Sequence, residues 1–229
     1  MASPGQLVEL ISETLGVPRA TVALHDRNLA EAGLRKMGGR GPSAAIMDSV
    51  DAANLLTAVV AAPINGPAIV SSAETCELYS SLRRSKESQG RWRDTKIPTA
   101  ATFPSNHTFR EALIGLIDAA REGEFADTRA RNWLLQVSIL APFPYAKIAF
   151  PAIDIEMNYG DAVPEEKEHQ WRWYSARVNK FGAGDLGQTR WFTTLTIRKI
   201  GLLLGKLPAA SARRASQLSA VEQRRRHAS

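Results

Sequence analysis

Leu7-Val8-Glu9-Leu10-Ile11-Ser12-Glu13-Thr14-Leu15-Gly16-Val17-Pro18-Arg19-Ala20-Thr21-Val22, continued through Leu29-Ala30-Glu31-Ala32-Gly33-Leu34, decides how the N-terminal part of the chain is read. Leu7, Leu10, Ile11 and Leu15 recur at the spacing that lines one face of a helix. Gly16 stops that helix where a left-handed C-cap is easiest to form. Pro18 restarts a second helix in its first turn, where a missing N–H costs nothing. Val17, Val22, Leu29 and Ala32 give this second helix an apolar stripe, and Gly33 ends it. The spacing therefore predicts two short helices joined by a tight turn.

Outward from the pair, Leu34 to Pro42 is short and glycine-rich and carries Arg35, Lys36 and Arg40. Asp48 or Ser49 can cap a third helix, with Asp51 in its first turn and Val50, Ala53, Leu56 and Val60 turned inward. Pro63, Gly66 and Pro67 close this unit. A short helix over 73–82 leads into a charged stretch, 83–96, ending before Pro98. His107 to Glu122 reads as an amphipathic helix with Phe109, Leu113, Leu116 and Ile117 inward. The period then changes. Trp133 to Leu140, Ala146 to Phe150, Ala152 to Asn158, Gln170 to Val178 and Arg190 to Ile197 are aromatic and β-branched with stretches of alternation, which favours strands. Ile197 to Leu207 favours a last helix.

The fold class that follows is α+β, an N-terminal helical domain followed by a mixed helix and antiparallel-sheet domain. Its expected parts are a helical domain over 1–82 that folds by itself, a basic linker over 83–96, an α+β oligomerisation or sensing domain over 97–207, and a basic disordered tail over 208–229. Trp171 and Trp173 share one side of their expected strand, and Trp191 and Phe192 point to opposite faces of the last. Such aromatics either form the core of a sheet packed on a helix or line a dimer interface, a ring interface or a ligand pocket.

The run from Leu15 to Val22, with Leu29 to Leu34, resembles the turn and second helix of helix-turn-helix DNA-binding domains. The basic, glycine-rich stretch to Arg40-Gly41 resembles the wing of their winged-helix members. The resemblance covers residues 4–41 and departs from the family in two ways. His25 stands where an apolar residue is usual, and no helix precedes the pair, so the helix after Asp48 has to supply the third face. The resemblance implies double-stranded DNA as partner, with Arg19, Thr21, His25, Arg27, Asn28, Lys36 and Arg40 as the DNA-binding residues. The start of the second helix would dock in a major groove. Arg19 suits a guanine edge and Asn28 an adenine edge, while Arg27, Lys36 and Arg40 suit phosphates or the minor groove.

Charge agrees with that partner but is unevenly spread. The chain of 229 residues has a formal net charge of +6. Six basic residues in 83–96 face only Glu87 and Asp94, and five arginines after position 208 face only Glu222. Both segments read either as solvated charge or as phosphate contacts, since each cation on a nucleic acid releases condensed counterions. The one cysteine, Cys76, rules out an intrachain disulfide and a cysteine-based zinc cluster. No segment has the pattern of a signal peptide or a bilayer-crossing run, so the expected location is cytoplasmic, with no membrane partner.

Catalytic constellations fall short, and the chain is expected not to be an enzyme and to need neither cofactor nor metal. Asp154, Glu156, Glu165, Glu166 and Glu168 with a lysine would be needed to hold magnesium for phosphodiester chemistry. The functional expectation is a sequence-specific regulator of transcription acting as a homo-oligomer. The alternatives are a phage-like DNA-packaging recognition subunit of the small-terminase type and, behind it, a metal-dependent nuclease.

Overall fold

A computed structural model describes residues 2–39, 45–62, 72–86, 88–125, 134–141, 143–161, 169, 172, 175–176 and 187–205. It is a mixed α+β chain, with helices mostly N-terminal and a four-stranded antiparallel sheet C-terminal. Helices α1 (Pro4–Leu15) and α2 (Arg19–Glu31) are followed by α3 (Ser49–Val60), α4 (Ser72–Ser80), the short α5 (Pro98–Ala101) and α6 (Phe109–Arg121). Strands β1 (Gln136–Ala141), β2 (Tyr145–Phe150), β3 (Ile155–Tyr159) and β4 (Gln188–Thr193) precede α7 (Thr194–Leu204). The sheet order is β3-β2-β1-β4.

Local chemistry explains the helix starts. Ser3 and Gln6 close a capping box on α1, Asp48 and Asp51 on α3, and Thr108 and Glu111 on α6. Each satisfies two N-terminal N–H groups that would otherwise have no partner. At the other end of α1, Gly16 sits at φ 66°, and its N–H and that of Val17 both return to the Ser12 carbonyl.

Helix α3 is the centre of the molecule. Every residue of it except Val50 is buried, so the expected single inward stripe is replaced by a helix enclosed on all sides. It packs against α2, α4, α6 and α7. Its C-terminal carbonyls of Val59 and Val60 accept from the Arg190 guanidinium on β4, at 3.3 and 3.4 Å, which places a cation at the negative end of the helix dipole. Tyr79 of α4 donates its hydroxyl to the Leu140 carbonyl of β1 at 2.8 Å. One continuous apolar core therefore runs from Leu7 and Val22 through Leu55 and Leu113 to Val137, Phe150 and Ile197. Stretch 83–96 does not separate two cores.

That stretch is also structured. Gln89 and Glu156 exchange backbone hydrogen bonds at 2.8 and 2.9 Å, and the Ser85 N–H donates to the Asn158 carbonyl at 2.7 Å. Trp92 is buried. The segment lines the β3 edge, where it supplies the partners an edge strand lacks.

Three strand expectations shift. Within 170–178, Arg172, Ser175 and Ala176 have helical backbone, so a strand there is overturned; Trp171 and Trp173, like the tail over 208–229, lie outside the described residues. Residues 190–197 divide into the end of β4 and the first turn of α7, because the Thr193 hydroxyl accepts from the Leu195 N–H and caps a helix. Packing of α7 on α6 outweighs the β preference of Thr196 and Ile197. Strand β3 begins at Ile155, after a 3-10 turn over Pro151–Ile153 and a left-handed Asp154 at φ 53°.

Candidate nucleic-acid interface

The α1–α2 pair is held by Leu7, Val8 and Ile11 on one helix and Val22 and Leu29 on the other, all buried. With those residues inward, Pro18, Arg19 and Ala20 at the start of α2 face solvent, as do Leu24, Arg27 and Glu31 further along. The N-terminal end of α2 is thus free at the surface, with Thr21 half-buried beside it.

Arg19 pairs with Glu9 of α1 at 2.5 Å across the turn, both side chains well exposed. An exposed pair of this kind contributes about 0–1 kcal/mol, so a nucleic-acid oxygen can compete for the guanidinium at little cost. Arg27 is exposed and makes no ion pair among the described residues.

His25 is 1% exposed and faces inward, where it cannot reach a groove. Its Nδ1 lies 2.8 Å from the Ser72 hydroxyl at the start of α4. Burial, helped by the Arg190 charge, lowers its pKa from 6.5 to about 4 and keeps the ring neutral. Asn28 donates from Nδ2 to the same hydroxyl at 3.0 Å. The side chain expected to read an adenine edge is therefore engaged in joining α2 to α4. Nothing in the sequence near His25 or Asn28 signals Ser72, which is over forty residues away.

The segment after α2 is clamped. Gly33 at φ 74° lets the chain turn, and the Leu34 N–H returns to the Leu29 carbonyl at 2.8 Å. Arg35 and Asp26 form an ion pair at 2.8 Å with side chains only 13% and 10% exposed. Loss of solvent around Asp26 raises its pKa although Arg35 opposes the shift. The Asp51 carboxylate, at the first turn of α3, accepts from the Lys36 N–H at 2.9 Å, and Asn54 donates to the Leu34 carbonyl at 2.7 Å. Asp48 pairs with the Lys36 ammonium, and that hydrogen bond raises the lysine pKa. A Cβ on Gly38 would lie 2.3 Å from the Ala45 nitrogen, so the outgoing and returning chains approach closely and glycine is required. On return, the Met47 N–H donates to the Ala2 carbonyl at 2.9 Å. Lys36, Met37 and Gly39 project from this fixed segment into solvent. Arg40 lies outside the described residues.

Arg19, Thr21, Arg27 and Lys36 thus sit at or near one helix pair and its adjoining segment, whereas His25 and Asn28 face the interior contact with α4. The two described acidic candidates are engaged separately. Asp154 accepts from the Gln89 amide at 2.8 Å, Glu156 pairs with Lys147 at 2.9 Å, and Glu165, Glu166 and Glu168 lie outside the described residues. Among the described residues no group of three or more His, Cys, Asp and Glu is placed to hold a metal ion, and no helix is long and apolar enough to cross a membrane. The chain is a mixed α+β protein with an exposed basic helix start. No family model, curated protein or solved structure matches it.

Proposed function

We propose that the chain is a sequence-specific double-stranded-DNA-binding protein of the cytoplasm, with α1–α2 as a helix-turn-helix and the basic segment that begins at Leu34 as its wing. The observation that carries this reading is an α2 whose N-terminal end is exposed and whose C-terminal end leads into a basic segment fixed by Asp26–Arg35 and the α3 cap. Rigid presentation matters, because a flexible basic loop would lose ordering entropy on every contact. Arg19 and Thr21 would reach base edges, and Arg27 and Lys36 would hold phosphates. Transcriptional regulation is the role such a protein serves most directly.

The test is selection of bound duplexes from a random library, followed by anisotropy titration. A preferred sequence should emerge, and Arg19→Ala should weaken binding to it by about 1–3 kcal/mol while leaving random DNA nearly unaffected. Equal loss on all sequences would reduce Arg19 to a phosphate contact, and no binding by the native chain would remove the proposal.

Self-association would let two such helix pairs read two half-sites of a duplex. Leu134, Trp191 and Leu195, 58%, 61% and 57% exposed, lie around the edge strand β4. Antiparallel pairing of β4 with a second copy is self-complementary and would cover all three. Light scattering separates the roles: two subunits fit a regulator, and a ring fits a packaging subunit. Trp191→Ser should yield monomers.

A further inference from the structure

The charged stretch 83–96 does more than connect elements. It is laid along β3 and pinned by a buried polar knot. The Trp92 indole N–H donates to His107 Nε2 at 3.0 Å, and the Tyr159 hydroxyl lies 2.9 Å from the same nitrogen. His107 Nδ1 is 2.5 Å from the Pro104 carbonyl, so the neutral ring can donate there and accept at Nε2. Phe103 and Phe150 pack edge-on against Trp92.

Fixing Trp92, Thr95 and Ile97 inward forces the intervening side chains outward. Arg91, Arg93 and Lys96 are exposed, as are Arg83 and Lys86 earlier in the strap. Some carboxylates lie beside the strap. Glu111 closes the α6 cap, Asp154 takes the Gln89 amide and Glu156 takes Lys147. Asp94 approaches Arg93 at 3.9 Å, and Glu87 lies outside the described residues. The strap is therefore a row of exposed cations on an anchored backbone, with Asp94, Asp154 and Glu111 as the carboxylates nearest to it.

Such a row fits a regularly spaced polyanion. Ser72, which touches α2 through His25 and Asn28, begins the helix that leads to the strap. At about 1.5 Å per helical residue and about 3.5 Å per extended one, Arg83 lies within about 25 Å of Ser72. By the same spacing Lys96 lies within about 70 Å of Ser72, so a duplex of about three turns, roughly 100 Å, is long enough to span α2 and the strap.

We infer that the 83–96 strap is a second, sequence-independent contact to the phosphate backbone of the duplex bound by the helix pair. The inference rests on the DNA-binding reading of that pair. Arg91, Arg93 and Lys96 hold phosphates, and their fixed backbone lowers the entropy lost on binding.

The test uses the full chain with Arg91→Gln, Arg93→Gln and Lys96→Gln together, titrated against a duplex of about three turns at several salt concentrations. The plot of log affinity against log salt should flatten by about 0.9 for each phosphate no longer neutralised, so by about 2–3 in total, equally for every sequence. The melting temperature should not move, since all three side chains are exposed. If the triple variant melts early, Arg91→Gln with Lys96→Gln reads the same effect, with an expected flattening of about 2. An unchanged slope, while Arg27→Gln with Lys36→Gln weakens binding, overturns the strap and leaves the helix pair. A flattened slope with no effect of Arg27→Gln and Lys36→Gln overturns the helix pair and leaves the strap as the duplex contact. Loss of polyglutamate binding with duplex binding intact would reassign the strap to an acidic protein and overturn the inference.

Discussion

Lowering the pH from 7 to 5 should destabilise this protein through His25, by an amount that can be worked out from its surroundings. The imidazole is enclosed between α2 and α4, with Nδ1 on Ser72 and Nε2 without a partner among the described residues. Its folded pKa of about 4 lies below the ordinary 6.5, chiefly because burial removes water from the charged form. The unfolded chain therefore binds the proton first, and stability present above pH 6.5 is lost as the pH falls toward the folded value. Linkage gives a loss of about 2 kcal/mol between pH 7 and 5, approaching about 3 kcal/mol near pH 4. His107, whose pKa is also lowered by burial, acts in the same direction. Asp26 acts in the opposite one nearer pH 4, because its raised pKa makes the folded state take up the proton there. Comparison with His25→Gln between pH 7 and 5 isolates the histidine. Urea titrations at each pH give the two stability curves, and the difference between their slopes is the quantity of interest. The native chain should lose about 2 kcal/mol more than the variant over this window. Parallel curves would refute the argument and place His25 in water in the folded state.

Three further outcomes follow from the same contacts. Arg35→Ala leaves the Asp26 carboxylate enclosed without its cation, and should destabilise the fold by about 3–5 kcal/mol and loosen the basic segment, read by urea midpoint and by weaker duplex binding. Gly16→Ala retains an open site for the methyl group but demands φ 66° of a residue with a Cβ, so the melting temperature should drop by an amount equivalent to about 1–2 kcal/mol. The isolated fragment 1–82 lacks α6 and α7, which cover α3, and should show neither a near-UV circular dichroism signal nor a cooperative melt; a cooperative melt would restore the independent N-terminal domain expected from sequence.

What the sequence determined by itself is the set of features whose causes are local. Ser3, Asp48 and Thr108 start helices because their side chains reach N–H groups three residues on. Gly16 ends α1 because it tolerates a left-handed backbone. The α+β order and the inward residues of α6 are legible for the same reason, since a helix face repeats within a few residues. Residues 190–197 mark where that logic ends. A β-branched, aromatic run reads as one strand, but the Thr193 cap and packing on α6 divide it. The site shows the same limit. Arg19 and Arg27 are polar residues that the helix period assigns to the surface and Thr21 lies half-buried beside them, while Lys36 is exposed in the segment after the helix. His25 and Asn28 face inward only because α4 brings Ser72 against them, and 83–96 is a strap only because β3 offers an open edge. Both depend on partners far along the chain, and tertiary packing alone decided them.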